Sequence, residues 1–226
     1  MTCAIVRLKH LTIAIVKKEP EDMTTVRARN YAGQSAKERQ LARRERLIEG
    51  AIGAYGKTGY RNTTVKAVCE AAGLTERYFY ESFENSEALL VAAFDTVSRR
   101  LFGHLEEIRR ESSSGTPDER GLAVLQAYYQ ALKDDPGAAR VFVVEIARVG
   151  PAVDDVWAGL LHEFSELLWR AVATDGNIRR APSELLRAGV VGAVVQIAKV
   201  WIRSGFARRV DAVAADALRI CRLLES

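Results

Sequence analysis

From residue 36 onward, apolar positions recur at three- and four-residue steps, and beyond residue 16 no stretch sustains period-two alternation with turn signals. That pattern predicts helices throughout and an all-α fold, with residues 3–16 alone ambiguous. The first helix is expected over 36–55, with Leu41, Leu47, Ile48, Ala51, Ile52 and Tyr55 as its inward stripe. Arg39, Arg43, Arg44 and Arg46 form its exposed face. Ser35 and Glu38 read as a capping box at its start, and Gly56 and Gly59 are expected to stop it. Asn62-Thr63-Thr64 then supplies N-cap chemistry for a short helix over 65–71, with Val65, Val68 and Cys69 inward. Ala72-Gly73-Leu74 is a tight turn in which Gly73 takes a left-handed conformation at little cost. Thr75 caps a second short helix over 76–82, and Phe79 and Phe83 share one of its faces. Two short helices joined by a glycine turn predict a helix-turn-helix.

Further helices are expected over 86–111, 118–133, 137–148, 153–174, 182–203 and 208–225, separated by Ser-, Asp-, Gly- and Pro-rich breaks. The helix over 182–203 is apolar nearly all round and rich in small residues, including Gly189, Gly192 and Ala193. A helix of that kind in a domain this small calls for a partner on one face. The helix over 208–225 adds the apolar set Val210, Val213, Ala214, Ala217, Leu218, Cys221 and Leu224.

Charge divides the chain in the same place as the pattern. The net charge is +4 over 226 residues. Residues 24–85 hold eleven basic and seven acidic side chains, against four and three before them and eighteen and nineteen after them. The surplus therefore sits on the helix-turn-helix, a basic module joined to a near-neutral one. Three domains are expected: a flexible arm over 1–34, a DNA-binding domain over 35–85 and a larger helical domain over 86–226. Arg27 and Arg29 in the arm read either as minor-groove contacts or as solvated charge. Met23 stands just before this arm as an alternative start.

Other chemistries lack their residues. Cys3, Cys69 and Cys221 are too few and too scattered for a disulfide framework or zinc knuckle, and a reducing cytosol is the expected compartment. His104 with Glu107 and His162 with Glu166 stand at helical spacings, but two ligands on one helix are not a metal site. Gly56-Lys57-Thr58 copies the end of a phosphate-binding loop, yet Ala51 stands where its first glycine is needed. No metal, cofactor, catalytic residue or membrane contact is expected, and the apolar runs fall short of a span of about 20 residues.

The segment 59–94 carries a denser signal: Gly59-Tyr60, Thr63-Thr64, Ala72-Gly73, Thr75, Phe79-Tyr80, Phe83 and Glu87 with Leu89-Leu90. It resembles the DNA-binding domain of the tetracycline-repressor-like (TetR) family of transcriptional regulators. The resemblance implies a three-helix DNA-binding domain followed by a helical ligand-binding and dimerisation domain. It also implies a homodimer formed by the last two helices and a near-palindromic operator.

In a helix-turn-helix the first turn of the recognition helix faces base edges, which makes Thr75, Glu76, Arg77 and Tyr78 the candidates for readout. Arg77 is the favoured reader because its fork can bond guanine O6 and N7 together, whereas Glu76 either accepts from cytosine N4 or stays solvated. Tyr80 matches the family's phosphate-contacting tyrosine, Thr64 offers a hydroxyl at a helix N-terminus, and Lys66 is placed for a phosphate or nearby base. Arg77 and Tyr78 depart from the small residues usual in the family. Ser86 stands where a lysine is usual, leaving a cap in place of a charge, which implies a shallower salt dependence.

In the helical domain Tyr128, Tyr129, Phe142, Trp157 and Phe164 read first as core and second as the lining of an apolar effector cavity, with Glu145 as its polar anchor. The expected function is therefore that of a cytoplasmic, dimeric, ligand-responsive regulator, a repressor in the first reading. The sign of regulation stays open, and an effector-free DNA-binding protein or a helical enzyme are the alternatives.

Overall fold

Five helix starts among the described residues are fixed by side chains that accept orphan backbone N–H groups. The computed structural model describes residues 35–145, 151–174 and 182–224, and side chains at 145, 151 and 152 lie outside that description. The arm, with Arg27 and Arg29, and the side chain of Glu145 therefore fall outside the described residues. Among the described residues the regular elements are all helical: α1 (Ala36–Thr58), α2 (Val65–Ala72), α3 (Glu76–Ser82), α4 (Ser86–Glu111), α5 (Pro117–Asp134), α6 (Pro136–Arg140), α7 (Pro151–Val172), α8 (Glu184–Arg203) and α9 (Val210–Cys221). Thr64, Asn85, Asp135 and Ser183 each accept from the backbone N–H three residues on. Thr116 and Glu119 form a reciprocal capping box at the start of α5.

Several expectations are corrected. Gly56 does not stop α1, which runs on to Thr58; the chain turns at Gly59, whose φ of 82° suits glycine, into a 3₁₀ turn Tyr60–Asn62. Leu41 is half exposed rather than inward. Asn85, not Ser86, caps α4. The helix expected over 137–148 begins as α6 and widens into a π-helical turn Val141–Glu145. The last helix ends in a 3₁₀ turn Arg222–Leu224.

The core is continuous. Leu47, Ile48, Ala51 and Tyr55 of α1 share one apolar cluster with Leu89, Leu90 and Phe94 of α4 and, through it, with the buried faces of α5, α7, α8 and α9. An aromatic series runs through it: Phe94 stacks on Phe142 at 5.7 Å, Phe102 meets Phe142 and Phe164, and Tyr128 lies 4.9 Å from Phe164. Arg120 of α5 closes the far end of α7, donating from Nε to Ala171 O at 3.0 Å, and also to Gly115 O and Ala173 O. Cys69 and Cys221 are buried free thiols, and burial pushes the Cys221 thiol up to about 12.

Two contacts tie α1 to the helices behind it. Glu49 of α1 pairs with Arg100 of α4. Gly56 of α1 crosses Gly137 of α6 so closely that a Cβ on Gly56 would overlap the Gly137 Cα and lie 3.0 Å from its carbonyl carbon.

α8 buries Val190, Val191, Val194, Val195, Ala198 and Trp201 and leaves its opposite face bare. Leu185 is 86% exposed and Val200 52%, and a Cβ on Gly189 or Gly192 would meet nothing within 4 Å. Against the expectation that the apolar runs fall short of a span, α8 with its 20 residues is long and apolar enough, by length and composition alone, to cross a membrane.

Candidate nucleic-acid interface and effector cavity

α2 and α3 are joined by the turn the sequence predicts. Gly73 sits at φ 61°, ψ 40°, with its N–H on Cys69 O and Glu70 O, and Leu74 N donates to Cys69 O at 2.9 Å. That double closure is the left-handed helix end only glycine makes without strain. Val68, Cys69, Phe79 and Phe83 are buried against α1, which fixes the face that α3 turns outward.

Arg39, Arg44 and Arg46 are exposed as expected and Arg43 is half-buried, and three of these arginines also hold this module. The Arg46 guanidinium donates to Ala72 O at 2.7 Å and Gly73 O at 3.1 Å, clamping the turn. Arg43 lies 4.6 Å over the Tyr78 ring, and Arg44 4.6 Å over the Phe83 ring. These contacts join positions 26 to 39 residues apart, so α1's own periodicity carries no trace of them.

The candidate contact residues lie as follows. Thr75 occupies the N-cap position of α3 without making a side-chain cap bond, which leaves its hydroxyl for another partner. Thr64 accepts from Ala67 N at 3.1 Å, and its own O–H remains a donor at the exposed start of α2. Glu76 and Lys66 are exposed, Lys66 near Glu70 at 4.0 Å. Arg77 is exposed and lies along α3, donating from Nε to Glu81 at 2.9 Å. An exposed i,i+4 pair of this kind is worth only about 0.3–0.5 kcal/mol, so a better acceptor takes the guanidinium readily. Tyr80 is 63% exposed, its ring edge-on to Phe79. Tyr78 is half-buried under Arg43, the least free of the set. Asn62, Thr63 and Thr58 knit the preceding 3₁₀ turn, with Thr58 and Thr63 hydroxyls 2.7 Å apart, and so hold Thr64 in place.

Of the residues expected around an effector, Tyr128, Tyr129, Phe142 and Phe164 are fully buried in the aromatic series. Tyr129 donates to Val194 O at 3.0 Å, whereas the Tyr128 hydroxyl is buried with no partner. Trp157 is half-buried, with Lys199 5.8 Å from its ring centroid. A cavity of about 250 Å³ opens between α4, α5 and α6. Phe142 lines it, together with Arg100, Leu101, His104, Leu132 and Asp135, none of which the sequence marked for this role. Charged residues on a helix surface give no local signal that a cavity will form beneath them. His162 is exposed on α7, while Glu166 pairs with Arg187 rather than with a metal. Among the described residues no three His, Cys, Asp or Glu side chains come together as a metal site.

Comparison with known proteins follows this geometry. Residues 47–93 match the family model of bacterial regulatory proteins, tetR family. The HTH-type transcriptional repressor KstR2 of Rhodococcus jostii is 27% identical over 184 residues, 79% of this chain and 88% of its own. The fatty acid metabolism regulator protein of Bacillus subtilis is 21% identical over 161 residues, 69% of this chain and 81% of its own. Among solved structures, the transcriptional regulator FadR of Bacillus subtilis in complex with stearoyl-CoA gives a TM-score of 0.65 at 17% identity, covering 78% of this chain and 96% of that one. FadR of Bacillus halodurans gives 0.66, also at 17% identity, over 79% and 94%.

Proposed function

We propose that the chain is a transcriptional regulator of the tetR family and, from that premise, a cytoplasmic repressor: a dimer whose two α3 helices hold a palindromic operator and release it when a small apolar effector binds. Residues 35–85 do the DNA binding and residues 86–226 the sensing and dimerisation. The observation that carries the reading is α3 itself, a short helix fixed from behind by Phe79, Phe83 and the Arg46 clamp, with Thr75, Arg77 and Tyr80 facing out.

The roles follow from chemistry at each position. Thr64 and Tyr80 hold phosphates on either side of the groove, Lys66 adds charge, and Arg77 leaves Glu81 to read a guanine, with Thr75 and Glu76 beside it. Dimerisation uses α8 and α9, where the bare small-residue face of α8 is otherwise unexplained. Effector binding is supported by the cavity between α4, α5 and α6, apolar on the side of Leu101, Leu132 and Phe142. The stearoyl-CoA held by the Bacillus subtilis FadR supports an acyl-CoA as the effector class.

Footprinting on the DNA upstream of its own gene tests this. Two protected half-sites about one helical turn apart are expected, lost on addition of acyl-CoA. Protection competed equally by random DNA would remove the repressor reading. Arg77→Ala is expected to weaken operator binding by about 1–3 kcal/mol and to relax discrimination at a single base pair. A uniform loss across all sequences would reassign Arg77 to a phosphate.

A further inference from the structure

Arg100 stands at the junction of two spaces. On one side it lines the 250 Å³ cavity, whose wall also carries His104 and Asp135 among apolar groups that include Leu101, Leu132 and Phe142. On the other it lines an open groove of about 1230 Å³ between α1, α2 and α4, where Lys57 and Arg99 also lie. The cavity is at the small end of ligand pockets, which run from about 300 to 1,000 Å³. It suits a short chain or a single ring system rather than a long lipid.

Two of the other charged groups at this site already have partners. Asp135 accepts from Ala138 N at 2.8 Å as the cap of α6, and Arg99 is paired with Asp95. Lys57 makes no ion pair among the described residues. Arg100 bonds Glu49, one contact being 3.3 Å from Nη1 to Oε2, and the interaction holds its guanidinium firmly protonated. Both side chains of that pair are more than half exposed, so the pair holds weakly and a competing anion displaces Glu49 at little cost.

We infer that this cavity binds an amphipathic anion, its apolar part against Phe142 and Leu101 and its anionic head on Arg100 in exchange for Glu49. The exchange is the signal. Glu49–Arg100 ties α1 to α4, and α1 carries the Arg46 clamp on the helix-turn-helix. A ligand that takes Arg100 removes this tie, and because an exposed pair is weak the bias it adds toward the untied state is a few-fold at most. The inference rests on the ligand-responsive reading above and adds the head-group chemistry, the site and the trigger. A free carboxylate at the mouth and the phosphates of a CoA thioester in the groove offer the same anionic chemistry.

The test is direct binding to the full-length protein without DNA, with octanol, octanoate, octanoyl-CoA and CoA as probes. At least one octanoyl anion is expected to bind about tenfold tighter than octanol, the margin of a charge-assisted bond. Arg100→Gln should erase that margin while leaving octanol, which reads the cavity and the fold, within about twofold. Glu49→Gln should tighten the anion several-fold by freeing Arg100. Octanoyl-CoA favoured, with the gain lost in Lys57→Ala, assigns the head to the groove; octanoate favoured, with no effect of Lys57→Ala, assigns it to the mouth. Equal affinity for octanol and both anions, an Arg100→Gln variant with its margin intact, or CoA binding as well as octanoyl-CoA would overturn the inference. Failure to bind operator in the absence of any probe would count instead against the regulator reading.

Discussion

Gly56→Ala is expected to destabilise the fold by about 1–3 kcal/mol, the usual cost of overpacking. The sign runs against intrinsic propensity, which favours alanine over glycine inside a helix by about 1 kcal/mol. Sterics win here because the new Cβ would overlap the Gly137 backbone, and backbone has no flexible end to swing aside. Gly53, one turn earlier in the same helix, is the matched control: a Cβ there meets nothing within 4 Å. Gly53→Ala should therefore raise stability by about 0.4–1 kcal/mol. Urea unfolding of both variants decides the matter. Two stabilised proteins would mean that α1 and α6 do not cross as tightly as described. Because α6 also walls the effector cavity, Gly56→Ala should weaken the ligand's effect on operator affinity in addition to lowering stability.

Gly192→Arg is expected to convert the dimer to a monomer and to lower operator affinity by at least about 10²-fold, because two linked half-site contacts become two independent ones. The substitution is clean in the isolated chain, where the position is open, so the arginine strains nothing within its own subunit. At a two-fold interface the same patch meets itself, and a buried unpaired guanidinium costs several kcal/mol. Sedimentation at micromolar concentration, with far-UV circular dichroism to verify the fold, reads the outcome. A variant that remains dimeric would move the interface off this face of α8. Exposed Leu185 and Val200, which extend the same bare surface, would then need another partner.

How much of this was legible beforehand depended on the range of the interaction. Helix boundaries were readable to within a few residues because caps act over three positions: Thr64 and the Gly73 turn are written in consecutive letters. The helix-turn-helix was legible for the same reason. Gly56 was misread because a glycine that ends a helix and one that lets another helix approach look alike in sequence, and only the position of Gly137, eighty-one residues on, tells them apart. The aromatic residues proposed for the effector were found in the core, but the cavity's polar mouth was missed. Arg100 is one charged residue among many on a helix surface until α5 and α6 are placed beside it.

The sequence by itself determined the all-helical class, the order and approximate ends of the helices, the helix-turn-helix and the surplus of charge upon it. All of these follow from local capping and from the 3.6-residue period. Only the tertiary structure decided that Arg43, Arg44 and Arg46 hold the DNA-reading module together from behind, that α1 is tied to α4 and α6 through Arg100 and Gly137, and that a cavity opens at that junction. Side-chain partners and empty space are set by which helix faces meet, and those meetings join residues tens of positions apart.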